Sequence, residues 1–142
     1  STCRFGDPET QVVLPLLETD IMDIIEAVWE EKLDTLDIKW SDKSCACVVM
    51  ASGGYPEKYE TGKVISGLDE NGQCEGAFVY HAGTKLEDGK FLTAGGRVLG
   101  ITAYGDTLKE ALDTAYKAVD TISFEKAHYR HDIGKKALSA LK

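Results

Sequence analysis

Five stretches of strand length between residues 45 and 103 limit the folds open to this chain more than any other feature. They cover residues 45–51, 63–66, 77–82, 90–94 and 97–103. Glycine-rich turns separate them, as hairpins and short loops require. A helical pattern precedes this block and another follows it. Runs of strands bounded by helices predict an α+β fold in which antiparallel strands are joined to one long helix.

The two helical patterns differ in what they can pack against. In the second, over 107–122, Thr107 and Glu110 have the spacing of a capping box and an apolar stripe follows. The first, over 19–33, has Thr19 as its predicted N-cap and an apolar stripe that includes Ile21, Ile25 and Val28. Little neighbouring chain is available to cover that stripe. We therefore expect this sequence to be the C-terminal piece of a larger protein.

The amino-acid composition argues for a globular protein and against some classes of function. Hydrophobic residues make up 43% and charged residues 28% of the chain, which is typical of a globular protein. The formal net charge of -8 argues against nucleic-acid binding, which needs clustered cations. No apolar run approaches the roughly 20 residues of a membrane span. The cysteines lack zinc-site spacing, and we predict reduced, mostly buried cytoplasmic thiols.

The first residues carry an unusual density of charge. Arg4, Asp7 and Glu9 surround a glycine and a proline, directly before an apolar run. A guanidinium can bind a carboxylate or a phosphate, and carboxylates can hold an amine, so this group suits an amino-acid substrate. Equally, the same residues could form an ion-pair network that only fixes the turn at residues 6–8. Residue types alone do not separate these two interpretations.

Three further places are candidate binding positions. Gly53 and Gly54 follow the first strand and allow close approach of a ligand or another domain, although a tight turn with aromatic packing is the simpler explanation. Arg97 follows two glycines that expose it. Arg130 stands beside an acid, where a surface salt bridge of small energetic value is the simpler explanation. No nucleophilic triad has recognisable spacing, so no catalytic residue is assigned.

Five motifs occur in the same order as in a known family. They lie at residues 4–11, 51–56, 81–84, 95–100 and 129–134. Together they resemble the C-terminal end of phosphoribosylamine–glycine ligases, and the resemblance covers nearly the whole chain. It implies that residues 1–36 are the end of an ATP-grasp domain and that residues 37–142 are the C-terminal domain. It also implies a cytoplasmic enzyme of purine biosynthesis.

The resemblance implies a reaction and a site. The family joins glycine to 5-phosphoribosylamine through a glycyl phosphate, using ATP and Mg²⁺. Arg4 would contact the substrate carboxylate or phosphate, and Asp7 and Glu9 the amine end. The C-terminal wall of the cleft would be shaped by Gly53, Gly54, Arg97 and Arg130.

The sequence departs from the family pattern at its start. The family carries a metal-binding Asn where Thr2 stands, and a metal-binding Glu two residues before it. This chain alone is therefore expected to bind neither ATP nor Mg²⁺ and to be inactive, with the rest of the ligase as its partner. The alternative is a stand-alone, non-catalytic interaction module whose first helix docks on a partner or on a second copy.

Overall fold

The computed structural model describes residues 4–140, and it confirms a mixed α/β fold with antiparallel strands. The strands are β1 (Ser44–Ala51), β2 (Phe78–His81), β3 (Thr84–Glu87), β4 (Lys90–Thr93) and β5 (Arg97–Gly105). The helices are α1 (Thr10–Val13), α2 (Ile21–Trp29), α3 (Leu108–Val119) and α4 (Lys135–Ala140), with short 3-10 helices at Leu14–Leu16 and Leu33–Thr35. No helix among these residues is both long and apolar enough to cross a membrane.

The main sheet has three strands in the order β1-β5-β2, and every pairing is antiparallel. Strand β5 is central, and Ile101 lies opposite Val48 of β1 on one side and Val79 of β2 on the other. Strands β3 and β4 form a separate two-stranded hairpin. The central position of β5 explains why its residues from Val98 to Ala103 are all buried.

The core lies between helix α3 and one face of the main sheet, the inner face. Side chains alternate along a strand, so every second residue of β1 and β5 points to this face. Those residues include Val48, Met50, Leu99 and Ile101, none of which is more than 1% exposed. The predicted capping box of α3 is confirmed, since Glu110 N–H donates to Thr107 Oγ1 at 3.2 Å and Thr107 N–H donates to Glu110 Oε2 at 3.2 Å.

One predicted strand is wrong, and one observed strand was not predicted. Residues 63–66 are not a regular strand, because Val64 bridges to Leu92 of β4 whereas Ser66 bridges to Ser123 near the chain's end. Changing partner within three residues leaves only isolated bridges. Conversely, β3 was not predicted, since Thr84–Glu87 is polar and exposed on most positions and lacks the apolar alternation typical of a half-buried strand.

Helix α2 is shorter than predicted at both ends. Its N-cap is Asp20, whose carboxylate accepts from Met22 N–H at 2.8 Å. Thr19, the predicted cap, instead accepts from Lys39 N–H at 2.7 Å. The helix ends at Trp29, because Glu31 adopts a left-handed backbone with φ of 57° and Lys32 N–H bonds back to Ala27.

The opposite face of the main sheet, the outer face, is covered by residues 6–17, which we call the N-terminal segment. Thr102 Oγ1 donates to the carbonyl of Gln11 at 3.1 Å, and Tyr104 Oη donates to that of Pro15 at 3.2 Å. The backbone N–H of Ser41 donates to the carbonyl of Leu16 at 2.8 Å. The N-terminal segment is therefore anchored to the sheet by hydrogen bonds along its length.

Helix α2 leaves the sheet and presents an apolar face to solvent. Ile21, Met22, Ile25 and Val28 are 40% to 55% exposed, and Trp29 is 88% exposed. None of the nine residues of α2 is buried. An exposed apolar helix face of this kind is a candidate interaction surface.

The side chain of Gln73 occupies the free edge of β2 and contributes to the stability of the fold. Gln73 Oε1 accepts from Val79 N–H at 2.9 Å, and Gln73 Nε2 donates to the Val79 carbonyl at 3.0 Å.

We expect Gln73→Ala to lower the free energy of unfolding by about 1–2 kcal/mol, because both bonds are lost beside a buried side chain. Urea denaturation measures this. Glu70→Ala, in the same loop, is the control and should change stability by less than about 0.5 kcal/mol; equal effects would contradict the edge role.

Candidate functional site

A cleft of ≈ 390 Å³ opens where the outer face meets residues near the start of the chain and the segment between α3 and α4. Cys47, Val49 and Ala51 of β1 form its floor. Its walls come from the start of the chain, the loop after β1, the start of β5 and the segment between α3 and α4; the wall residues are Pro8, Tyr55, Arg97, His128, Tyr129, Arg130 and Ile133. Residues that are distant in sequence thus meet in one concave surface, which is the usual form of a ligand site.

Arg97 joins the cleft wall to the acidic loop, which we define as residues 6–9. Its Nη1 donates to the Asp7 carbonyl at 2.8 Å and lies 3.2 Å from Asp7 Oδ2. Its Nε donates to Tyr55 Oη at 3.2 Å. The guanidinium is thus shared between two loops, and its pKa is raised by the Tyr55 hydroxyl and by the Asp7 carboxylate. Arg97 remains charged throughout the physiological range.

The three charged residues at the start of the chain do not form one cluster. Arg4 is exposed and donates to the carbonyl of Phe5 at 2.9 Å. Asp7 accepts from Gln11 Nε2 at 2.9 Å in addition to its pairing with Arg97. Glu9 is exposed and its carboxylate lies against Gly6. Within residues 4–140, no ion pair joins Arg4 to either acid, so its guanidinium is available to a ligand or to another part of a larger protein.

The glycine pair after β1 lies in a tight turn. Gly54 has a φ of +96°, and a side chain there would meet the Lys58 carbonyl. A side chain at Gly53 would meet Lys126. Neither glycine lines the cleft. Their contribution to the cleft is therefore indirect, since they allow the turn that carries Tyr55 to its rim.

Tyr55 is held in place by the loop that precedes β5. Its ring lies against Gly96, where an added Cβ would overlap it. Ser52, which is 2% exposed, ties the two loops together: its backbone N–H donates to the Gly96 carbonyl at 2.8 Å and its hydroxyl to the Gly95 carbonyl at 2.8 Å. The two glycine-containing motifs thus form one unit that orients Tyr55 toward Arg97.

Arg130 lies on the cleft wall that the segment between α3 and α4 forms. Its guanidinium makes a bidentate pair with Asp132, with distances of 2.9 Å and 2.8 Å. Both side chains are more than half exposed, so the pair adds little to stability. The backbone carbonyl of Arg130 accepts from Tyr116 Oη of α3 at 2.7 Å, which fixes this wall to the core.

Structural contacts account for the environments of Cys45, Cys47 and His81. Cys45 and Cys47 are free, partly buried thiols on the outer face. Burial raises the pKa of the Cys45 thiol to about 11, and burial also raises the pKa of Cys47, so both stay protonated at neutral pH. The Nδ1 atom of His81 lies 2.8 Å from Thr84 Oγ1, and its Nε2 atom lies 2.8 Å from the Gly72 carbonyl oxygen. Because a carbonyl oxygen only accepts hydrogen bonds, Nε2 carries a proton.

The structure thus gathers some of the predicted site residues and separates others. Asp7 and Arg97 meet, and Arg130 lines the same cleft. Arg4, Glu9 and the glycine pair lie outside the cleft lining. Two participants were not predicted as site residues, namely Tyr55 and Gln11. Tyr55 lies in the motif at residues 51–56, but nothing local in the sequence indicates a partner 42 positions away.

The described residues do not provide a metal site. Among residues 4–140, no group of three or more His, Cys, Asp or Glu side chains is placed to hold an ion.

Comparisons with known proteins agree on one family. The phosphoribosylglycinamide synthetase C-domain model matches residues 45–136. A phosphoribosylamine–glycine ligase of Caldanaerobacter subterraneus is 55% identical over 130 residues, which cover 92% of this chain and 30% of that ligase. A bifunctional purine biosynthetic protein of Dictyostelium discoideum is 50% identical over 140 residues, covering 98% of this chain and 17% of that protein.

A solved structure agrees as well. The crystal structure of phosphoribosylamine–glycine ligase from Thermotoga maritima matches with a TM-score of 0.70 and 33% identity, covering 91% of this chain and 31% of that one. The fold and these matches define the class, which is that of the C-terminal domains of ligases of purine biosynthesis. The chain belongs to the phosphoribosylglycinamide synthetase C-domain family, as the resemblance of its motifs predicted. It spans less than a third of the length of these relatives.

Proposed function

We propose that this chain is the C-terminal part of a phosphoribosylamine–glycine ligase that joins glycine to 5-phosphoribosylamine through a glycyl phosphate. The observation that carries the proposal is the family match over residues 45–136, together with relatives named for this ligase that are about three times longer. ATP and Mg²⁺ then bind to the remainder of the ligase, which is an ATP-grasp enzyme. The chain alone has no turnover.

Within the ligase, the residues of this chain bind and orient substrates. The exposed guanidinium of Arg4 binds the carboxylate of glycine or the phosphate of phosphoribosylamine by charge-assisted hydrogen bonds. The carboxylates of Asp7 and Glu9 face the amine end. Gly53, Gly54, Arg97 and Arg130 shape the wall behind them. Residues 1–36 belong to the ATP-grasp domain in this proposal, and residues 37–142 form the C-terminal domain.

The exposed face of α2 supports the same assignment. Five apolar side chains of this helix are 40% or more exposed, and none of its nine residues is buried. We assign this face to the contact with the remainder of the ligase chain. Burial of that surface offsets the cost of holding the two parts together.

Substitution of Arg4 in the full-length ligase tests the site. We expect Arg4→Ala to lower kcat/KM for glycine and phosphoribosylamine by about 100-fold, or ~2.7 kcal/mol, because a charge-assisted contact to the substrate is lost. The assay is ATP- and glycine-dependent release of phosphate. Lys90→Ala, a cation at the turn of the β3–β4 hairpin, is the control and should leave the kinetics unchanged.

Two other outcomes would each reject a different part of the proposal. A full-length protein with no turnover on these substrates would reject the ligase function. An active ligase whose kinetics are unaffected by Arg4→Ala would reject only the role of Arg4. The mass of the natural polypeptide distinguishes the ligase from the alternative function. A product near 15.5 kDa would favour a stand-alone interaction module.

A further inference from the structure

We infer that Tyr55 and Arg97 are positioning residues that fix the acidic loop against the cleft, with Asp7 as the residue through which they anchor it. This inference rests on the proposed ligase function for its kinetic consequences. Its structural part concerns this chain alone.

The first observation is how Arg97 is used. Its Nη1 group donates to the backbone carbonyl of Asp7 and forms an ion pair with the Asp7 carboxylate, while Nε donates to the Tyr55 hydroxyl. A planar guanidinium held at two of its nitrogens has one orientation. Tyr55 thereby sets the direction in which Arg97 donates, and Arg97 sets the position of the acidic loop.

The second observation is the difference between the two acids. Asp7 accepts from Gln11 through Oδ1 and pairs with Arg97 through Oδ2, so both of its oxygens already have protein partners. Among the hydrogen bonds and ion pairs of residues 4–140, none involves the Glu9 carboxylate. The charge of Asp7 is therefore already balanced by Arg97, which makes Asp7 the anchor of the acidic loop.

The third observation is that Tyr55 is itself braced. Its ring packs against Gly96, and buried Ser52 bonds the two carbonyls of the loop on which Gly96 lies. Tyr59 is 6.0 Å away, measured between ring centroids, in an edge-to-face contact. Such support around a polar contact is what holds a binding group in a fixed geometry, and a displacement of about 1 Å at a reacting centre can cost about 100-fold in rate.

A matched pair of variants tests the inference. Tyr55→Phe removes the hydroxyl that bonds Arg97. Tyr59→Phe makes the same chemical change in the same loop, where no hydrogen bond of the described residues involves the Tyr59 hydroxyl. In the isolated chain, we expect Tyr55→Phe to speed amide hydrogen exchange of Thr10, Val12 and Val13, which bond back to the acidic loop, with an unchanged thermal midpoint.

In the full-length ligase, we expect Tyr55→Phe to lower kcat/KM for glycine about tenfold with the KM for ATP unchanged, because substrate orientation is disturbed while the ATP site lies elsewhere. Arg97→Lys should have a similar effect, since one ammonium cannot reproduce the fork. Tyr59→Phe should match the wild type within about twofold.

Identical exchange rates and identical kinetics in the two tyrosine variants would overturn the inference. So would a loss of activity in Tyr55→Phe that only follows a lower thermal midpoint, and so would faster exchange without any change in kcat/KM. A wild-type ligase that is inactive on glycine would reject the proposed function instead, and the exchange comparison would still decide whether Tyr55 holds the acidic loop.

Discussion

Replacing Ile25 by Glu is expected to leave the isolated chain almost unchanged and to disrupt the full-length ligase. Ile25 is 52% exposed on α2, so the chain alone should lose less than about 0.5 kcal/mol of unfolding free energy. In the ligase, we propose that the remainder of the polypeptide covers the same position. An unpaired carboxylate buried there costs about 3–5 kcal/mol. Urea denaturation of both proteins measures the difference.

A matched substitution separates burial from a general effect of added charge. Leu86 of β3 is 63% exposed, and Leu86→Glu introduces the same carboxylate at an apolar surface position on the hairpin. It should be tolerated in both proteins. If Ile25→Glu is equally harmless in the ligase, α2 is not covered there. If the isolated chain forms dimers that Ile25→Glu dissociates, a second copy covers the face.

Replacing Ile101 by Ala is expected to lower the free energy of unfolding by about 3–4 kcal/mol. Ile101 has no exposed surface, lies on the central strand and faces α3 between Val48 and Val79. Neighbours on both sides prevent the cavity from collapsing, and residual cavity volume is what makes such losses large. A small domain has about 5–15 kcal/mol of stability in total.

The control for this prediction is Leu86→Ala, which removes a similar side chain where it is already solvated. Its cost should stay below about 0.5 kcal/mol. Urea denaturation measures both, and the slope of free energy against denaturant should be the same for both variants, since each alters the native state rather than the surface exposed on unfolding. A loss below about 1 kcal/mol for Ile101→Ala would contradict the central position of β5 in the core.

Local patterns account for what could be predicted of the fold. The capping box of α3 and its apolar stripe are interactions between residues three or four positions apart, so they can be recognised in the sequence. Strands β1 and β5 have apolar runs of strand length and formed as predicted. The exposed hairpin strand β3 lacks such a run. Its pairing depends on β4 across a tight turn.

For the candidate site, too, some features follow from the sequence and others depend on the tertiary structure. The sequence by itself determined which charged residues and glycines were candidates and which family they resemble, since these depend on residue type, order and spacing. The tertiary structure alone decided that Arg97 meets Asp7, 90 positions away, and Tyr55, 42 positions away. These partners are brought together by the antiparallel pairing of β1 with β5 and by the N-terminal segment on the outer face. Hydrogen bonds act over about 3 Å, so long-range partners become definite only when packing places them within that distance.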